Sequence, residues 1–162
     1  RFADATTTPV GTRSYGKVQN KKNLTEIVAA HHIPYAAQTT ILANMKDLHE
    51  KARKAVYTPG AAFLNVLAPC PRGWRYEMSR LLEITKAAVD TCFWPLFEVV
   101  EGEYRLTYQP KKKLPVEEYL RPQGRFKHMF NKGNQWMIEA FQQEVDRKWE
   151  ELLAKCQTSA AK

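Results

Sequence analysis

The chain has 162 residues, is 44% hydrophobic and 26% charged, and carries a formal net charge of +8. That is room for one ordinary domain with a real core. The composition excludes a disordered, collagen-like or coiled-coil chain, and no apolar run reaches the roughly 18–20 residues of a membrane span.

Residues 1–23 read as an irregular lead-in, with Thr6-Thr7-Thr8-Pro9-Val10-Gly11 at its start and Lys21-Lys22-Asn23 at its end. Asn23 caps a helix over Leu24–His31, with Glu26 three residues on and Leu24, Ile27 and Val28 on its apolar face. Pro34 separates it from a strand over Tyr35–Thr39. Asn44 then caps a second helix whose Met45, Leu48, Ala52 and Val56 recur at helical spacing, up to Pro59-Gly60. Ala61 to Leu67 is apolar on both faces, the pattern of a central, buried parallel strand. Two prolines flank Cys70 just after it, and a helix follows over Glu77–Thr91.

This alternation of helix and strand predicts an α/β fold with a parallel sheet flanked by helices. After Pro95 the pattern changes. Leu96–Val100 and Tyr104–Thr107 form a hairpin across Glu101-Gly102. Pro115 opens a short helix, and Asn134–Lys155 is a long amphipathic helix carrying Trp136, Phe141, Val145, Trp149 and Leu152. The expected organisation is residues 1–95 as part of an α/β domain, and 96–162 as a hairpin and helical extension whose last helix docks on its own domain or, by position, on a neighbouring subunit.

The basic excess lies in residues 1–60 and 111–132. Such segments suit nucleic acid, an acidic protein or a phosphorylated cofactor, or are solvated loops; no nucleic-acid motif accompanies them. Cys70, Cys92 and Cys156 are odd in number and widely spaced, which argues against a disulfide framework and for a reducing, cytoplasmic setting. Cys70, held between prolines at a strand end, has the placement of a metal-cluster thiolate or of an inert structural thiol. Cys92 reads as packing and Cys156 as incidental. His31 and His32 are adjacent and point apart; His49 and His128 are isolated. No Ser–His–Asp order, HExxH or phosphate loop is present, so no catalytic residue is assigned. The chain opens on Arg1 without a signal pattern, which reads as a processed chain or a piece of a longer one.

Several segments in fixed order resemble the β subunit of 2-oxoacid:ferredoxin oxidoreductases of the pyruvate synthase type. They are Thr6 to Gly11, Lys21-Lys22-Asn23-Leu24, Ala29 to Tyr35, Leu67-Ala68-Pro69-Cys70-Pro71-Arg72-Gly73-Trp74, Trp94 to Glu98, Lys112 to Leu120, and Gln123-Gly124-Arg125-Phe126. The resemblance covers about residues 5–130 and implies the C-terminal half of a subunit that binds thiamine diphosphate with Mg2+ and one 4Fe–4S cluster. It implies that Cys70 is the fourth cluster cysteine, the other three and the magnesium motif lying in the N-terminal half, and that Thr6, Thr7 and Thr8 lie near thiamine diphosphate.

The implied reaction is oxidative decarboxylation of a 2-oxoacid (pyruvate first, oxalate or a branched 2-oxoacid as alternatives). Electrons pass to ferredoxin, and coenzyme A usually takes the acyl group. Expected partners are the other subunits, ferredoxin and these small molecules, with neither nucleic acid nor membrane, and the chain alone is expected to be inactive. Two other classes compete: an assembly protein docking through the last helix, and a basic nucleic-acid module whose affinity falls steeply with salt.

Overall fold

The computed structural model describes residues 2–160. The lead-in is more ordered than its sequence suggests: β1 (Val10–Gly11) and β2 (Ser14–Tyr15) pair antiparallel as a small separate ribbon. Helix α1 (Leu24–Ala29) follows, and the Asn23 side chain accepts the N–H of Glu26 as a cap should. Strand β3 (Tyr35–Thr40) is buried along its whole length. Helix α2 (Met45–Tyr57), capped by Asn44, leads to β4 (Ala62–Leu67). A one-turn helix α3 (Pro71–Trp74), a 3-10 turn (Met78–Arg80) and α4 (Leu81–Asp90) come next. The hairpin β5 (Phe97–Val100) and β6 (Glu103–Leu106) precedes α5 (Glu117–Leu120), a 3-10 stretch (Gly124–Phe130) and α6 (Gln135–Ala160).

The main sheet is mixed, in the order β4-β3-β5-β6. Strands β3 and β4 are parallel with Tyr35 opposite Ala62, while β3/β5 and β5/β6 are antiparallel. The hairpin is thus part of the same sheet as the parallel pair. Its turn residues Glu101 (φ 49°) and Gly102 (φ 82°) are both left-handed, as a two-residue turn matched to strand twist requires.

Strand β4 is not central. It has no neighbour on its outer side among the described residues, and Val66 is 37% exposed. Its apolar pattern belongs to a strand inside a sheet, but among the described residues it pairs along one edge only.

Buried polar groups join the sheet to its helices. On the α1 side, Thr25 donates to Gln38 Oε1 at 3.1 Å and accepts from Asn65 Nδ2 at 3.0 Å. Thr25 and Ala29 form the packing face of α1, and Leu24 and Ile27, expected to be buried, are exposed. On the α2 side, the Lys51 ammonium is buried and donates to Gln38 O, Asp47 Oδ2 and Thr107 Oγ1 at 2.7–2.8 Å. Every donor finds an acceptor, which offsets the desolvation of the charge.

Helix α6 covers two apolar clusters. Met137, Ile138, Phe141 and Val145 pack with α4, α5 and the 124–130 stretch. Trp149 and Leu152 pack with Phe97, Val99 and Ala29. The helix therefore docks on its own chain. Trp136, expected in the buried stripe, is 43% exposed and lies edge-on to Phe2 and Tyr15.

Candidate functional site

Cys70 follows the carboxyl end of β4 and is the N-cap residue of α3. Pro71 occupies the first helical position, where its missing N–H costs nothing. The Cys70 carbonyl accepts the N–H of Trp74 at 2.9 Å, and its Sγ accepts the N–H of Gly73 at 3.4 Å. The thiol is exposed but fixed in orientation by these backbone bonds.

The loop around it is held from the far end of the sequence. Helix α3 ends at Arg75, which is left-handed (φ 59°) and whose carbonyl accepts the Gly124 N–H at 2.9 Å. Gly124 tolerates no side chain, because a Cβ there would lie 2.8 Å from Arg75 Cβ and 2.9 Å from its carbonyl oxygen. The next residue, Arg125, is buried. Its guanidinium bonds Asp4 Oδ2 at 2.9 Å, Tyr119 Oη at 3.0 Å and Gln123 Oε1 at 2.6 Å, and lies 3.8 Å from the centre of the Trp74 ring. Asp4 in turn accepts the Thr6 N–H at 2.8 Å. Ala5 is tied at both ends, its N–H to Arg125 O and its carbonyl to the Arg75 side chain.

The result is one assembly of three segments that are remote in sequence: the Thr6 segment, the Cys70 loop and the Gly124-Arg125 turn. A methyl on Gly73 would stand 3.4 Å from Cys70 Sγ and 3.9 Å from Thr6 Cγ2, so Thr6 borders the cysteine loop. Thr7 is exposed, and Thr8 borders a shallow open cleft with Lys17 and Asn20. Of the sequence-predicted site residues, Thr6 and Cys70 are brought together and Thr8 belongs to a different cleft.

Burial would raise the Asp4 carboxyl, but the Thr6 hydrogen bonds and the Arg125 guanidinium outweigh it and hold Asp4 below the usual carboxylate range. The Tyr76 phenol, beside this loop, is pushed up by burial and then by the Cys70 charge. Its hydroxyl is buried with no hydrogen-bond partner among the described residues. Sequence reasoning did not single out Asp4, Tyr119 or Trp74 as a unit. Three resemblance segments, ending in Trp74, spanning Tyr119 and containing Arg125, point to this corner separately, and Asp4 lies in none of them.

No three His, Cys, Asp or Glu side chains among the described residues are grouped to hold a metal ion. One exposed, oriented thiol that accepts a backbone N–H fits a single ligand of an iron–sulfur cluster whose other ligands come from elsewhere. His31, His32 and His49 are exposed, and the ring of His128 is engaged with Tyr15 O at 3.0 Å. No helix among the described residues is long and apolar enough to cross a membrane.

No family model matches the chain. Curated proteins do. It is 46% identical over 152 residues to the pyruvate synthase subunit PorB of Thermotoga maritima, covering 93% of this chain and 47% of that protein. It is 43% identical over 145 residues to the PorB subunit of Methanosarcina barkeri, covering 89% of this chain and 49% of that protein. The ketoisovalerate oxidoreductase subunit VorB of Pyrococcus abyssi is 42% identical over 149 residues, covering 91% of this chain and 46% of that subunit. The chain thus spans about half the length of the curated relatives it matches. Identity at this level over about nine-tenths of the chain places it beside both kinds of subunit at once: the chain is PorB-type in sequence, matching about half of each relative.

Proposed function

We propose that this chain forms the cluster-facing part of the β-type subunit in a thiamine-diphosphate-dependent 2-oxoacid:ferredoxin oxidoreductase. The observation that carries this is the assembly of the Thr6 segment, the Cys70 loop and Arg125 at the carboxyl end of β4. Ligands in open α/β sheets bind at strand carboxyl ends. In this reading residues 1–95 carry the cofactor-facing face, and residues 96–162 extend the sheet and cover it.

Cys70 would be one thiolate ligand of the 4Fe–4S cluster. The Gly73 N–H on its sulfur stabilises negative charge there, one of the levers that set a cluster's potential. Thr6 would border the pocket of thiamine diphosphate, which binds with Mg2+ held by residues outside this chain. When bound, thiamine diphosphate supplies the electron sink for loss of carbon dioxide from a 2-oxoacid, and the cluster supplies the one-electron route to ferredoxin. The chain's own work is positioning. The buried Asp4–Arg125 pair fixes the distance between the threonine segment and the cysteine loop. Pyruvate is the proposed substrate, with a branched 2-oxoacid the alternative that the VorB relatives favour. Coenzyme A is the proposed acyl acceptor.

The test is Cys70→Ala in the assembled enzyme, read by iron content and by the EPR spectrum of the reduced clusters. The expected result is loss or alteration of one cluster, with ferredoxin reduction by pyruvate falling at least about a hundredfold. A full complement of iron with an unchanged spectrum would remove Cys70 as a ligand.

A further inference from the structure

The chain turns back on itself immediately after α3. Arg75, in the left-handed region (φ 59°), ends that helix with its N–H on Pro71 O, and the Tyr76 N–H reaches the same carbonyl at 3.1 Å. This reversal at a helix C-terminus folds Tyr76 back toward the helix that Cys70 caps. Its ring lies 6.5 Å from that of Trp74 and packs against the core to which Tyr119 and Phe126 belong.

Tyr76 is half-buried, yet its hydroxyl is shut off from water and has no hydrogen-bond partner among the described residues. Buried hydroxyls in folded proteins almost always have one, because burial removes the bonds that water supplied. Three neighbours act on this phenol by charge: Cys70, Tyr119 and Arg125. A guanidinium has donors only, so Arg125 cannot accept. The Tyr119 oxygen already accepts an Arg125 N–H at 3.0 Å. Cys70 Sγ is the remaining acceptor, and it already draws in the Gly73 N–H at 3.4 Å. A neutral thiol accepts weakly, whereas a thiolate accepts strongly.

We infer that Tyr76 is a positioning residue for the proposed iron–sulfur centre, its hydroxyl donating a hydrogen bond to the Cys70 sulfur when that sulfur is a thiolate ligand. This holds only if Cys70 is a ligand of the centre, as proposed above. Uptake of one electron makes such a centre more negative by one charge, and a donor on a ligand sulfur favours the reduced state. Tyr76 keeps its proton throughout and exchanges no electron. Deleting its oxygen therefore lowers the potential of the centre without removing the centre.

The experiment compares wild type, Tyr76→Phe and Cys70→Ala in the assembled oxidoreductase, by iron content, EPR-monitored redox titration and ENDOR with and without exchange into D2O. Cys70→Ala identifies the centre by the signal it removes or alters. Tyr76→Phe, which keeps the ring and loses one oxygen, should retain full iron content and hold that centre at a lower potential. Poised at the wild-type midpoint, its ratio of reduced to oxidised centre should fall about three- to tenfold. One exchangeable proton coupled to the reduced centre should also vanish from the ENDOR spectrum. An unchanged or higher potential overturns the inference while leaving Cys70 a ligand. Loss of iron from Tyr76→Phe overturns it too, because the ring would then serve the fold alone. An unaltered set of clusters in Cys70→Ala overturns the reading of Cys70, and the role of Tyr76 falls with it.

Discussion

Arg125 shows how much of this fold rests on single side chains. It reaches a partner 121 positions away, Asp4, whose side chain is 9% exposed against 3% for the guanidinium, so both are buried. Replacing such a pair by apolar groups is often tolerated, but removing one partner strands the other charge in the interior. Arg125→Met should therefore cost about 3–5 kcal/mol in urea unfolding of the chain. The double change with Asp4→Leu should recover much of that loss. If the single variant is as stable as the wild type, the pair is not holding the lead-in to the core.

At the scale of elements, α2 and α6 make contrasting demands. Helix α2 turns a buried Lys51 toward the sheet. Burial drives that ammonium down to about 8 from an ordinary 10.5, against the pull of Asp47. Between those values the unfolded chain holds a proton that the folded chain has released, so through this group stability rises with pH from about 8 to about 10.5. Below about 8 both states are charged and the group has no pH effect. Unfolding at pH 8 and at pH 10 should therefore show the advantage of wild type over Lys51→Met widening at the higher pH. A gap that is constant or narrows contradicts the assignment.

Helix α6 is 26 residues long, about 39 Å, and crosses both apolar clusters. Its two tryptophans divide accordingly. Trp149 is 9% exposed and Trp136 is 43% exposed. Acrylamide should quench Trp136 and spare Trp149 in the folded chain, resolved with Trp136→Phe and Trp149→Phe. Equal quenching of both would mean that the C-terminal half of α6 is not docked.

For the whole molecule, the unpaired edge of β4 is the feature that bears on how the chain associates. A strand that is apolar on both faces and pairs parallel on one side has the sequence of a sheet interior, and an unpaired edge of that kind is an invitation to association. The relatives are about twice as long as the matched stretch, and a further parallel strand from the rest of such a subunit would cover this edge. Its carboxyl end would then emerge beside Cys70, where the proposed cluster would take its other ligands. In the assembled enzyme, hydrogen exchange over residues 62–67 should be as slow as over 35–40. Fast exchange there would show the edge open to water and the sheet complete at β4.

The local features were legible from the sequence because they rest on short-range chemistry. Asn23 and Asn44 cap the helices they precede, and Glu101-Gly102 turns the hairpin, each through contacts within a few residues. The resemblance of the segments around Cys70 and Arg125 also held, because a motif in fixed order survives without any knowledge of contacts. The tertiary structure alone decided which faces were covered. Leu24, Ile27 and Trp136 read as apolar-face residues and are exposed, whereas Thr25, Lys51 and Glu98, polar or charged by type, are buried with their charges and hydroxyls paired. Hydrophobicity records only the free energy of leaving water. Whether a polar group can follow depends on a partner brought close by the fold, as Gln38 is to Thr25, Tyr35 to Glu98 and Asp4 to Arg125.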